Sequence, residues 1–168
     1  MASKTLVPVE EYLKMSFAGP EPEYVDGEIV GRNLGSTPHF KAQDRILEFF
    51  RPLRQSHSLY GYSEVTLRIS PTRYRVADVA VFAGDVPTEK KYPTEPPEFV
   101  VEIVSEDDRH VEIKEKLAEY HTWGVRHVWL VDPWTRTLSV HDNSGFHEVS
   151  AFELPEYDAR ISGSEIFS

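Results

Sequence analysis

The stretch Phe99 to Pro133, FVVEIVSEDDRHVEIKEKLAEYHTWGVRHVWLVDP, constrains the fold of this chain more than any other. It reads as a strand, a polar turn, an amphipathic helix from Val111 to Trp123, a tight turn at Gly124 and a second strand. Within the first strand, Phe99-Val100-Val101-Glu102-Ile103-Val104, one carboxylate stands among five apolar residues. The apolar character of this run, Glu102 apart, and of Val128 to Val131 implies central strands covered on both faces. An ionised carboxylate in such a place is costly unless it is paired, hydrogen-bonded or bound to a cation. Glu102 therefore needs a partner.

The rest of the chain supplies a sheet for that strand to join. Pro8 to Phe17 reads as a short helix stopped by Gly19-Pro20-Glu21-Pro22. Tyr24 to Arg32 reads as a hairpin around Asp26-Gly27, a pair suited to positive backbone dihedrals. Thr37 to about Ser56 is the longest helical candidate, with Thr37 as its expected cap and Pro52 expected to kink or end it. Tyr60 to Ile69 alternates as a half-buried strand, and Arg73 to Phe82 is a second strand containing Asp78. Gly84 to Pro97 is a long polar loop carrying Lys90-Lys91. Thr137 to Val140 and Phe146 to Val149 form another hairpin, and the tail to Ser168 shows scattered apolar residues without a pattern. The order suggests a mixed α/β sheet with helices packed against it and an N-terminal helix-hairpin extension, in one domain over 1–168.

Composition narrows the function classes. The chain has no cysteine, which excludes disulfides, thiolate metal sites and cysteine nucleophiles and fits a reducing cytoplasm. No window holds the ~18 consecutive apolar residues of a membrane span, and the N-terminus lacks the layout of a secretory signal. A formal net charge of −10 works against non-specific affinity for DNA, although a local basic groove remains compatible with it. There is no Walker loop, dinucleotide fingerprint, Gly-x-Ser-x-Gly elbow or zinc-protease HExxH.

The chemistry-bearing residues converge on one group. Asp78 and Glu102 are 102 − 78 = 24 residues apart on consecutive expected strands, where neighbouring strands would let the two carboxylates meet on one face. Such a pair needs a shared proton or a divalent cation, and oxygen-only ligands favour Mg²⁺ or Mn²⁺. On the following helix, Ile113, Leu117 and Tyr120 form the apolar stripe and Lys116 lies at its edge, able to reach the sheet. Carboxylates, cation and ammonium together suit phosphodiester hydrolysis. Blander assignments stand beside this one: Asp78 paired with Arg73 or Arg75, Glu102 paired with Arg68, and Lys116 paired with Glu112 four residues before it. Trp123, Trp129 and Trp134 read as core and interface residues.

At these residues the chain resembles the Uma-two family of restriction-endonuclease-like proteins, a branch of the PD-(D/E)XK nuclease superfamily. The resemblance lies in Arg75-Val76-Ala77-Asp78-Val79-Ala80-Val81, then Pro97-Glu98-Phe99-Val100-Val101-Glu102-Ile103-Val104-Ser105, then Glu112, Lys116, Tyr120, Gly124-Val125 and Val128-Trp129-Leu130-Val131-Asp132-Pro133. Weaker likeness extends to Asp26-Gly27-Glu28 and to His39. It implies a restriction-endonuclease-like core, with Asp78 and Glu102 as the metal-binding pair and Lys116 as the catalytic lysine recruited from the helix. His39, after Pro38 at the start of the long helix, is placed to approach the metal as an auxiliary, with a surface or capping histidine as the alternative. It further implies a nuclease acting on nucleic acid, DNA in the first instance, with Mg²⁺ or Mn²⁺. Two departures stand out. Ala77 replaces a proline before the aspartate, and Ser105-Glu106-Asp107-Asp108-Arg109 adds negative charge beside the site.

Two other readings compete with a cleaving enzyme. A catalytically silent protein that keeps the nuclease core for binding or assembly fits the acidity. A homodimer whose basic groove forms between subunits from Arg51, Arg54, Lys90 and Lys91 would reconcile the acidity with a nucleic-acid partner.

Overall fold

The computed structural model describes residues 5–168. The single domain expected over 1–168 thus includes four residues outside those described. Strand β4 (Arg73–Ala83) organises the fold because it has neighbours along both edges. Along one edge it pairs antiparallel with β3 (Leu59–Ser70) over almost its whole length. The other edge is shared by two strands. The first, β1 (Glu23–Val25), pairs with Arg73 and Tyr74; the second, β5 (Phe99–Ile103), pairs with Val79, Ala80 and Val81. Residues 75–78 lie between those two ladders.

Among the described residues, the remaining strands complete an eight-stranded mixed sheet. β2 (Glu28–Val30) closes a hairpin with β1, whose turn residues Asp26 and Gly27 both have positive φ (49° and 97°), as the Asp-Gly pair predicts. β6 (His127–Asp132) runs parallel to β5, and β7 (Thr137–Asp142) and β8 (Gly145–Val149) continue antiparallel beyond it. A parallel neighbour requires a crossover, supplied by helix α3 (His110–Trp123). Gly124 ends α3 at φ 115°, a backbone state that L side chains rarely adopt.

Strand alternation divides the core into two layers. Phe99, Val101 and Ile103 face helix α2 (Thr37–His57), meeting Ala42, Ile46, Phe50 and Leu53. Val100 and Val104 face the other way, with Leu117 and Tyr120 of α3. Glu102 lies between those two in the chain, so the same alternation turns it toward α3. β5 is buried at every position, as its composition required.

Several boundaries differ from expectation. The N-terminal helix α1 spans only Val9–Tyr12, since Tyr12 is the residue its short turn buries, against Tyr24 and Tyr74. Ser36, not Thr37, is the N-cap of α2. Pro52 does not end α2, which continues to His57. One missing N–H is offset by Leu53, buried in the core immediately after it. The tail forms a separate two-stranded sheet, β9 (Ala151–Leu154) with β10 (Ala159–Ser162), joined by a 3₁₀ turn and followed by α4 (Gly163–Ile166). It closes the α2 layer: Phe152 stacks on Trp129 with ring centroids 4.0 Å apart and planes 2° from parallel. Trp123 is half-buried, and Trp134 is exposed on the β6–β7 turn, not in the core. Among the described residues, no helix is long and apolar enough to cross a membrane.

Trp129 and Phe152 are each almost fully buried. Phe152→Ala is expected to lower unfolding free energy by about 3–5 kcal/mol, measured by urea denaturation. A loss below about 1 kcal/mol would show that the tail is not part of the cooperative core.

Candidate active site

The site forms where β1 and β5 leave part of the β4 edge without a strand. There the backbone of Val76 is buried, and both of its polar groups need partners. Side chains supply them. Glu23 at the start of β1 accepts the Val76 N–H through Oε1 at 3.0 Å, and the Lys116 ammonium donates to the Val76 carbonyl at 2.8 Å. Lys116 also lies 2.7 Å from Glu23 Oε1 and 3.0 Å from Glu102 Oε2. One step beyond the last β4–β5 pair, Val79 with Val101, come Asp78 and Glu102. Asp78 turns into the opening, where its Oδ2 accepts the Ile103 N–H at 2.7 Å in place of a ladder bond.

Helix α2 approaches from the opposite side to α3. His39 in its first turn places Nε2 3.3 Å from Asp78 Oδ2. The ring fits because Gly35 leaves room for it: a Cβ there would lie 3.0 Å from His39 Nδ1. Gln43, one turn on, donates to the Asp78 carbonyl at 2.8 Å and to Glu64 Oε1 at 2.9 Å. Arg32, from the segment between β2 and α2, reaches Asp78 Oδ1 at 3.2 Å and Glu64 Oε2 at 2.6 Å.

The structure thus brings Asp78, Glu102, Lys116 and His39 to the wall of one open cavity of about 1170 Å³. The blander pairings do not form. Arg73 and Arg75 bind Asp26, Glu23 and Glu119; Arg68 lies over the Tyr74 ring; Glu112 is exposed and faces Arg109. Sequence reasoning missed Glu23, Arg32, Gln43 and Glu64. It took Tyr120 as an apolar stripe residue and a family-matching position without a role for its hydroxyl, which donates to Glu102 Oε1 at 2.9 Å.

Charge is unevenly distributed over this group. Burial opposes ionisation of Glu23, but Lys116 and Arg75 outweigh it and hold its carboxyl down at about 2. Burial raises Glu102 to about 8; Lys116 counteracts this, while Asp78 and Glu23 add to it. Lys116 is shared between the two carboxylates, and Arg75 adds a second cation beside Glu23. Burial disfavours the charge on Lys116 too, but Glu102 and Glu23 keep it protonated well above the usual lysine range. Asp78 is buried, yet His39 and Lys116 keep it below the ordinary carboxylate range, and His39 is raised in turn because Asp78 outweighs its own burial.

Donor chemistry and charge both fit a divalent cation. Asp78 and Glu102 offer hard oxygen ligands, and a cation bound beside them would offset the burial that raises Glu102. A second group, Glu98, His127 and Glu156, brings its ligand atoms within 4.8 Å of one another at the other end of β5. Arg126 lies 3.0 Å from Glu98 and 3.6 Å from Glu156, and none of these residues lines the cavity that holds Asp78 and Glu102.

The model of the Uma2 family, described as "Putative restriction endonuclease", matches residues 9–167. The chain belongs to this family. A crystal structure described as "a putative nuclease belonging to DUF820", from Anabaena variabilis ATCC 29413, superposes with a TM-score of 0.84. It is 17% identical, and the match covers 96% of this chain and 97% of that one. The fold is therefore the restriction-endonuclease-like one, a mixed sheet between helices. No curated protein matches the chain. In family terms Ala77, standing where a proline was expected, is buried beside Leu67 and Leu117 in the α3 layer. Of the departing acidic turn, Asp108 accepts the Ser105 N–H at 2.7 Å, and its other oxygen lies 3.4 Å from Asn33.

Glu23→Gln is expected to cost about 3–5 kcal/mol at neutral pH, because it leaves Lys116 and Arg75 short of a buried partner. A lowered carboxyl contributes stability that is present above its unfolded value of 4.5 and is lost as pH falls through about 2. The gap in denaturation free energy between wild type and variant should therefore be full at pH 6 and narrow below 4.5. A gap independent of pH would contradict the ion-pair assignment.

Proposed function

We propose that this chain is a metal-dependent endonuclease that hydrolyses phosphodiester bonds of nucleic acid, with Asp78 and Glu102 holding Mg²⁺ or Mn²⁺. The observation that carries this reading is the buried Glu102 beside Asp78 and Lys116 on an open cavity. A divalent ion, when bound, supplies polarisation of the phosphate and of an attacking water. Glu102 must release its proton to accept the ion, so ion affinity rises with pH up to about 8. Lys116 is locked by three acceptors and stays protonated, which suits a donor that stabilises developing negative charge and not a general base. His39 orients Asp78 from the α2 side. The reading extends to one domain over 1–168, a cytoplasmic setting, DNA as the substrate and a homodimer as the assembled form.

One observation favours the second reading, a silent nuclease fold used in binding or assembly. Among the described residues lining the cavity, ten are Asp or Glu and four are Lys or Arg. Such a wall repels a phosphate backbone unless bound cations offset it.

Isothermal titration with Mn²⁺ tests the site, and a Mn²⁺-supplemented cleavage assay on DNA and RNA tests the activity. Asp78→Ala and Glu102→Ala should both lose ion binding and cleavage. Lys116→Met should keep ion binding and lose about a hundredfold or more in rate. Equal affinity in wild type and both carboxylate variants would remove the proposed site. Intact binding without cleavage of any substrate would favour the silent fold.

A further inference from the structure

We propose that Arg32 is a tethered cation standing in the divalent-ion position on Asp78, and that Glu64 is the anchor to which it withdraws when the ion binds. The proposal rests on the reading of Asp78 and Glu102 as the ion's ligands. Asp78 has one oxygen already committed, since Oδ2 accepts the Ile103 N–H at 2.7 Å and faces His39 at 3.3 Å. The oxygen left for an ion is Oδ1, and Arg32 Nη2 sits on it at 3.2 Å. The Arg32 side chain is only 14% exposed, so water screens its charge weakly. Two cations on one oxygen repel strongly under such conditions, and ion and guanidinium compete for it.

The same guanidinium has a firmer hold elsewhere. Its Nη1 lies 2.6 Å from Glu64 Oε2, closer than Nη2 lies to Asp78. Glu64 sits in β3 between the pairs Ser63 with Val79 and Val65 with Ala77, which places it across from Asp78. Its φ is 53°, a left-handed state in mid-strand that an L-residue keeps only when its surroundings over-determine it. Gln43 provides part of that determination by bonding both the Glu64 carboxylate and the Asp78 carbonyl. The strand thus holds a strained residue in order to set a second carboxylate beside Arg32. Loss of the Asp78 contact leaves Arg32 anchored at the cavity wall with Nη2 free, a donor suited to a phosphate oxygen. Arg32 then has two roles: it keeps Asp78 charge-matched without the ion and contacts an anionic ligand with it.

Mn²⁺ affinity, read by isothermal titration calorimetry and by the electron paramagnetic resonance signal of free Mn²⁺, tests this without reference to cleavage. Arg32→Met should bind Mn²⁺ roughly tenfold more tightly than wild type. Glu64→Gln should bind it more weakly, because Arg32 then has only Asp78. The double variant should match Arg32→Met. Unchanged or weaker binding in Arg32→Met would overturn the proposal while leaving the ion site standing. A double variant weaker than Arg32→Met would make Glu64 an ion ligand and overturn its role as anchor. Absence of Mn²⁺ binding in wild type and Arg32→Met alike would overturn both this proposal and the reading beneath it. Thermal melts of the ion-free proteins verify folding, and the Arg32→Met comparison decides the matter even where Glu64→Gln is unstable.

Discussion

The structure depends on how the buried backbone of Val76 is satisfied. Two strands share one edge of β4 and leave a stretch between them without a ladder, so a donor and an acceptor face a gap in the sheet. Water is the usual remedy at a surface, and a neighbouring strand is the usual remedy inside. Here Glu23 and Lys116 replace the missing strand. Charged side chains have thereby become part of the sheet's hydrogen bonding. The lysine that the proposed chemistry would use at the carboxylates is also the one that satisfies Val76, and one position serves both.

From this follows the electrostatic character of the site. Lys116 and Arg75 together hold the Glu23 carboxyl down, whereas burial raises the Glu102 carboxyl above the ordinary range. On the other flank, Asp78 is charge-matched by His39 and Arg32. The two carboxylates therefore differ sharply although they are neighbours in register. Burial raises Glu102, and Asp78 is held low with His39 and Lys116 beside it.

Much of this was legible in the sequence, for identifiable reasons. Glu102 stood out because it interrupted a continuous apolar strand. Lys116 followed from helical spacing, and Asp78 from its place in the preceding strand. The Asp26-Gly27 and Gly124 turns were readable because their backbone dihedrals restrict the residue type. Glu23 was not legible, because its strand is three residues long and its importance comes from where two ladders stop. Arg32 and Glu64 were hidden for a related reason: no local pattern signals a left-handed residue inside a twelve-residue strand. The tail was missed because four-residue strands carry too little periodicity, and the stack of Phe152 on Trp129 joins residues far apart in the chain.

The shared edge of β4 also bears on which length changes the fold can absorb. The loop from Gly84 to Pro97 lies outside every ladder, so a residue gained or lost there alters loop closure only slightly. In β4, a deletion before Asp78 would shift it by one step against β5 while β3 held the other edge. Each side chain beyond the deletion would turn to the opposite layer, sending Val79 toward α3 and Asp78 away from Ile103. The protein can therefore vary in length around its site while the ruler on which the site is measured stays fixed.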